Sequence, residues 1–318
     1  MSLDLRVRLL GKAVAWSTGP IAGMSHDKRA RLRNPTAPRR LVEWLNGRRA
    51  SGVTAADITI PGPGGEIPAR VYRPADWAPP SGLPVVVAFH GGGFVFGNLD
   101  TGDWLCSNVC ARTPAVVVSV SYRLAPEHPA PAAHLDACAA TSWVADHAGA
   151  LGGRADQLAV LGDSSGGTLA ASVALAARDT GGPDIVLQAL AYPITDLTLS
   201  SPSIKQHPHE PLLRAADLRA FVELYLGPTG DPRDPALSPL LAGDHSRLPR
   251  ALILTADHDP LVDDGRRYAQ RLREGGVAVE AVDFADSPHG FLSFPRHCTA
   301  AAAALETLVR SLRSARMG

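Results

Sequence analysis

From about position 84 onward, compact runs of Val, Ile, Leu and Ala alternate with longer stretches whose apolar residues recur at helical spacing. The apolar runs fall at 84–89, 115–121, 157–161, 185–191, 251–255 and 277–284. They are nearly continuous rather than every-other-residue, the pattern of strands covered on both faces in a parallel sheet. The stretches 103–112, 130–147, 164–178, 261–274 and 299–313 read as helices. This alternation predicts an α/β sheet, mostly parallel, wound by right-handed crossovers with helices on both faces. Ahead of it, 57–61 and 67–73 are short strand-like runs around Pro61-Gly62-Pro63-Gly64-Gly65, a turn cluster that predicts a hairpin.

Two segments break the rhythm. Residues 1–50 are helical in pattern and rich in polar residues, with Pro35 and Pro38 interrupting the run. Leu3, Val7, Leu10 and Val14 mark one face of a helix there, expected to pack on the body of the protein, with a membrane surface as the competing partner. Residues 196–246 are rich in Pro, His and Asp, with a helical patch at 214–226. A structureless loop of that length does not suit a compact domain. It is expected to be an insertion of helix and loops above the sheet. Together with residues 1–50 it would form a helical cap over a cleft, the catalytic domain being 51–318.

Composition narrows the function. The 318 residues hold 31 Lys plus Arg against 31 Asp plus Glu, a balance that argues against a nucleic-acid partner. A hydrophobic content of 45% with 19% charged residues excludes wholesale disorder. Four cysteines make no disulfide scaffold. Cys106 and Cys110 share a helix face, but two thiolates alone are no zinc site, and neither C-x-x-C nor H-E-x-x-H occurs. No apolar run of about 18 residues is present, so no membrane span is expected. Asp4, Arg6, Arg8 and Lys12 interrupt the apolar start, which argues against a signal peptide and for a cytoplasmic location.

The strongest chemical signal is Leu161-Gly162-Asp163-Ser164-Ser165-Gly166-Gly167, after an apolar run and before a small-residue helix. Strand, G-x-S-x-G, helix is the setting of a nucleophile elbow, which lifts the Ser164 hydroxyl clear and aims a helix N-terminus at any developing anion. A phosphate-binding turn is the competing reading, but it lacks the lysine of a P-loop and the spacing of a dinucleotide site. The second signal is His90-Gly91-Gly92-Gly93-Phe94. Three successive glycines leave backbone N–H groups uncovered, as an oxyanion hole needs. His90 reads as an anchor of this loop rather than a base. A serine nucleophile needs a base and an orienting acid, in the chain order Ser, Asp or Glu, His for this fold. His289 follows the last strand and is the base candidate. Asp257, Asp259, Asp263 and Asp264 all follow the preceding strand, and spacing does not choose among them.

These motifs resemble the hormone-sensitive-lipase-like α/β-hydrolases, in the bacterial esterase branch with a G-D-S-x-G-G elbow. The matching pieces are His90 to Phe94, Tyr122-Arg123-Leu124-Ala125-Pro126-Glu127-His128-Pro129, Gly162 to Gly167, Asp259-Pro260-Leu261 and His289-Gly290-Phe291. They span about residues 55 to 314; the first fifty match only in helical character. The resemblance implies an α/β-hydrolase fold with a helical cap and a serine carboxylesterase acting on short- to medium-chain acyl esters. It implies Ser164 as nucleophile, His289 as base, Asp259 as orienting acid, and oxyanion donors at Gly91, Gly92 and Ser165. Asp163 would support the elbow, and 122–129 would be structural. Where the family usually has Ala after the nucleophile, this chain has Ser165, expected to add a hydroxyl near the oxyanion hole. Phe94, Leu212, Phe221, Tyr225 and Phe291 are the expected pocket walls. No metal or organic cofactor is implied. The partner would be a small-molecule ester, and two copies would pair through the edge strand 277–284. Lipase, amidase or deacetylase action on the same triad, or a non-catalytic ligand-binding module, are the alternatives. Interfacial activation on emulsified triglyceride would mark a lipase, and loss of the catalytic His would mark a binding module; His289-Gly290-Phe291 is present.

Overall fold

A computed structural model of the chain describes residues 3–34, 39–76 and 82–315; Pro35 and Pro38 lie outside the described residues. Eight strands form one sheet: β1 (Val53–Gly62), β2 (Gly65–Pro74), β3 (Leu83–Phe89), β4 (Val116–Val120), β5 (Gly153–Asp163), β6 (Ile185–Ala191), β7 (Arg250–His258) and β8 (Val279–Pro288). Their order is β1-β2-β4-β3-β5-β6-β7-β8. β1 and β2 form the expected hairpin, closed at Gly62 opposite Gly65, and β2 runs antiparallel to β4. All other neighbours are parallel. The hairpin strands are longer than 57–61 and 67–73 because pairing continues to Val53 opposite Pro74, through Thr54, Ala55 and Ala56, where half-buried Val53 and Ala55 alternate with exposed Thr54 and Ala56.

The period-two alternation of strands divides the core. Val85, Val87 and Phe89 of β3 face one layer, and Val86 and Ala88 face the other. The first layer is covered by α5 (Ala132–Asp146), α6 (Ser165–Thr180) and α9 (Val262–Glu274), through residues such as Ala137, Leu169 and Tyr268. The second is covered by α4 (Asp103–Arg112) and α10 (Ala300–Ser314), through Cys106, Val109 and Leu308. All five residues of β4 are buried, Ser119 among them, which accounts for the nearly continuous Val run.

The segment 196–246 holds α7 (Ser203–Gln206) and α8 (Ala215–Leu226). Its start is tied to α9. Asp264 accepts from the N–H of Thr195 (2.9 Å) and of Asp196 (3.1 Å), and from the Ser201 hydroxyl. Burial pushes the Asp264 carboxyl up to about 7 against these donors. The N-terminal helices α1 (Leu5–Thr18), α2 (His26–Arg33) and α3 (Arg39–Asn46) lie against this segment and the body. Gly11 meets Pro211 so closely that an added Cβ would sit 2.3 Å from the proline Cβ. Ile21 N–H donates to Asp217 Oδ1 at 3.2 Å. Arg33 donates to the carbonyls of Val95 (2.8 Å) and Ala125 (2.6 Å) and pairs with Glu127 at 2.8 Å.

Candidate active site

β5 ends at Asp163 and α6 begins at Ser165, so the chain reverses within one residue. Ser164 takes φ 54° and ψ −121°, in the left-handed half of backbone space that side-chain-bearing residues rarely occupy. Two glycines make room for the turn. A Cβ on Gly162 would lie 2.0 Å from the Gly166 carbonyl oxygen, and one on Gly166 would lie 2.0 Å from that of Phe89. The Ser164 N–H is held by Ala191 O at 2.9 Å.

The hydroxyl so presented meets His289. Ser164 Oγ and His289 Nε2 are 2.8 Å apart, and His289 Nδ1 is 2.8 Å from Asp259 Oδ2. Asp259 is fully buried, and its other oxygen accepts the Leu261 N–H at 2.8 Å. The edge of the Tyr192 ring packs on the imidazole, with ring centroids 4.9 Å apart. The other three acids after β7 have different partners. Asp257 accepts the Ser287 N–H (3.1 Å), Asp263 accepts that of Ser203 (2.9 Å), and Asp264 holds the 195–196 backbone. Asp259 alone among the four is bonded to His289; spacing leaves all four open, and the Asp259-Pro260-Leu261 resemblance picks this one.

The glycine run lies beside Ser164. His90 donates from Nδ1 to Gly91 O at 2.8 Å and stacks on Tyr122, whose hydroxyl donates to His90 O at 2.8 Å. Burial pushes the His90 imidazole down to about 4, so it is neutral at pH 7, as an anchor should be. The expectation for Gly91 is corrected. Its N–H donates to Asp163 Oδ1 at 3.0 Å and is not free for a substrate oxygen. Burial pushes Asp163 up to about 6, and the Gly91 N–H acts in the opposite sense by favouring its charged form. The N–H groups of Gly92 and Gly93 have no hydrogen-bond partner among the described residues. That of Ser165 opens α6 and has no intrahelical acceptor. Gly93 was passed over in the sequence, although the glycine run contains it. Nothing local distinguishes the three glycines; Asp163, 72 positions away, does.

A second correction concerns Ser165. Its side chain is fully buried, with Oγ 3.5 Å from the Tyr122 hydroxyl, and it does not face the cavity. A cavity of about 400 Å³ opens over Ser164 and His289. Phe94, Leu212 and Phe221 line it as expected. Tyr225 and Phe291 do not. Tyr225 lies behind Phe94 in a parallel stack, centroids 3.7 Å apart, and Phe291 packs on Tyr192 and Phe284 in the second core layer. Both are aromatic beside a motif, but their side chains complete the core rather than the pocket. The sequence pattern missed Phe96, Val222 and Leu261, and it missed Val14, Leu32 and Asn46 from the N-terminal helices.

Among the described residues, one group has metal-ligand spacing: Asp257, His258 and Asp286 place ligand atoms within 4.8 Å of one another. It lies at the ends of β7 and β8, just before Asp259 and His289. The four thiols are unpaired; burial pushes those of Cys106 and Cys110 up to about 12, which keeps them protonated.

A family model described as alpha/beta hydrolase fold matches residues 86–293. A carboxylic ester hydrolase of Mycobacterium tuberculosis, LipN, is 46% identical over 82% of this chain and 70% of its own. The carboxylesterase NlhH of the same organism is 42% identical over 90% of this chain and 88% of its own. The solved structure of a hyperthermophilic esterase from the archaeon Pyrobaculum calidifontis superposes with a TM-score of 0.90 at 37% identity, covering 100% of both chains.

Proposed function

Given that the chain belongs to the hormone-sensitive-lipase-like family of α/β-hydrolases and is a carboxylic ester hydrolase, we propose that Ser164, His289 and Asp259 are its catalytic triad and that it cleaves short- to medium-chain acyl esters through an acyl-enzyme. The support is the unbroken line from Ser164 Oγ to His289 Nε2 and from His289 Nδ1 to Asp259 Oδ2, each link 2.8 Å, ending in an apolar cavity.

His289 Nε2 takes the hydroxyl proton as Ser164 Oγ attacks the ester carbonyl carbon. The carbonyl oxygen becomes an oxyanion, which the N–H groups of Gly92, Gly93 and Ser165 receive. Collapse breaks the bond to the alkoxy group, and the imidazolium returns the proton to the leaving alcohol. Water then gives its proton to His289 and attacks the acyl carbon; collapse breaks the bond to Ser164 Oγ, which takes the proton back from the imidazolium as the acid leaves. Asp259 holds the tautomer with the proton on Nδ1 and stabilises the imidazolium. No step draws on a metal or an organic cofactor. A cavity of about 400 Å³ is at the small end for ligand sites and favours short acyl chains over long ones. Residues 1–50 and 196–246 act as its cap, since Val14, Leu32, Leu212 and Phe221 supply its walls.

The test is a series of p-nitrophenyl esters from acetate to palmitate. kcat/KM is expected to peak between butyrate and octanoate and to fall at palmitate. Rapid mixing is expected to release about one p-nitrophenol per chain in a burst where deacylation limits turnover. A maximum on emulsified palmitate would make the protein a lipase instead.

Asp163 gives a second measurement. Asp163→Ala leaves the Gly91 N–H unpaired and frees the glycine run, whose misplacement by about 1 Å is expected to lower kcat on the order of 10²-fold. KM should move little. Asp163→Asn keeps an acceptor oxygen for Gly91 and should restore most of the rate. Equal rates for the native chain and Asp163→Ala would remove Asp163 from the positioning of the loop.

A further inference from the structure

Six large hydrophobic side chains are exposed among the described residues, and five of them lie on α1 and α3: Leu5, Leu9, Trp16, Leu41 and Trp44. On α1 they form a stripe. At about 100° per residue, Leu5, Leu9 and Trp16 fall within about 40° of one another, on the side opposite Val7, Leu10 and Gly11, which pack inward. Their exposures are 65%, 56% and 88%, so the stripe has no cover among the described residues. The helix is therefore apolar on two sides, and only one is used by the fold.

Charge identifies what the other side meets. Arg6, Arg8 and Lys12 flank the stripe, and their side chains make no ion pair among the described residues. α1 has no acidic residue. Residues 1–50 carry eleven Lys plus Arg and three Asp plus Glu, a net charge of +8 in a chain whose total is zero. A second copy of the chain meeting this face symmetrically would set Arg6, Arg8 and Lys12 against the same three cations. Leu and Trp bordered by Arg and Lys, with few acids, is the make-up of a helix that lies in the plane of an anionic bilayer. Val14 and Thr18 of the same helix line the cavity over Ser164, and so does Asn46 of α3. We propose that the outer face of α1, with that of α3, seats the protein on an anionic phospholipid surface. The helix lies among the headgroups without crossing, and the cavity is held close to the lipid.

Adsorption is read apart from turnover, so its failure leaves ester hydrolysis standing. The full chain is sedimented with vesicles of phosphatidylcholine and of phosphatidylcholine with phosphatidylglycerol. Binding to the anionic vesicles is expected, with weakening as salt is raised. Arg6→Gln, Arg8→Gln and Lys12→Gln together should weaken it about 100-fold. Leu9→Ser with Trp16→Ser should weaken binding to the same vesicles at every salt concentration. Both variants should hydrolyse soluble p-nitrophenyl butyrate at the native rate, which shows that they are folded. No adsorption to either vesicle, or equal adsorption by native and variant chains, overturns the proposal. Self-association that the Ser variant abolishes, without vesicle binding by the native chain, overturns it in favour of a second copy.

Discussion

Ser164→Ala is expected to fold as the native chain does and to lose about 10⁶ in kcat. The substitution removes one oxygen atom from a position with φ 54°, and alanine meets the same backbone strain as serine, so stability should change little. What goes is the acyl acceptor and the partner of His289 Nε2 at 2.8 Å. The residual rate over water, about 10³–10⁴, would come from the amide donors of Gly92, Gly93 and Ser165 and from substrate binding. Steady-state hydrolysis of p-nitrophenyl butyrate measures the loss, and the p-nitrophenol burst should vanish with it. An Ser164→Ala protein within tenfold of the native rate would place the nucleophile elsewhere.

The next largest effect is expected from Asp259→Asn, about 10⁴ in kcat. Asp259 is fully buried and both oxygens accept, one from Leu261 N–H and one from His289 Nδ1–H. Asparagine has one acceptor oxygen. If that oxygen stays on Leu261, the amide NH₂ faces Nδ1, which must then accept. The proton moves to Nε2, which becomes a donor toward Ser164 and no longer removes its proton. The neighbours supply the control. Asp257→Asn and Asp263→Asn touch the Ser287 and Ser203 N–H groups rather than His289, and each should stay within about tenfold of native kcat. Losses of equal size at Asp257 or Asp263 would dismiss Asp259 as the orienting acid.

Much of this arrangement was legible from residues close together in the chain. The elbow could be found because its requirements are local: glycines at 162 and 166 let strand, turn and helix approach within a distance no Cβ permits. The alternation of apolar runs with helical stretches predicted a parallel α/β sheet, since burial on both faces removes polar residues from the strands themselves. The hairpin extends past the apolar runs, because Val53 opposite Pro74 and Thr54 opposite Arg73 pair through backbone groups that composition does not report.

The sequence by itself determined the layered α/β architecture, the elbow at Ser164, the glycine run after β3 and the position of His289 after the last strand, because each depends on neighbours a few residues away. Spacing left four acids open and the Asp259-Pro260-Leu261 resemblance picked Asp259, which the structure places on His289; only the tertiary structure decided which glycine N–H is taken by Asp163 and which aromatics border the cavity rather than complete the core. It also decided that one apolar stripe of α1 finds no cover among the described residues. Those outcomes rest on ångström-scale distances between side chains tens to hundreds of residues apart, and they follow from packing, which no short window of sequence contains.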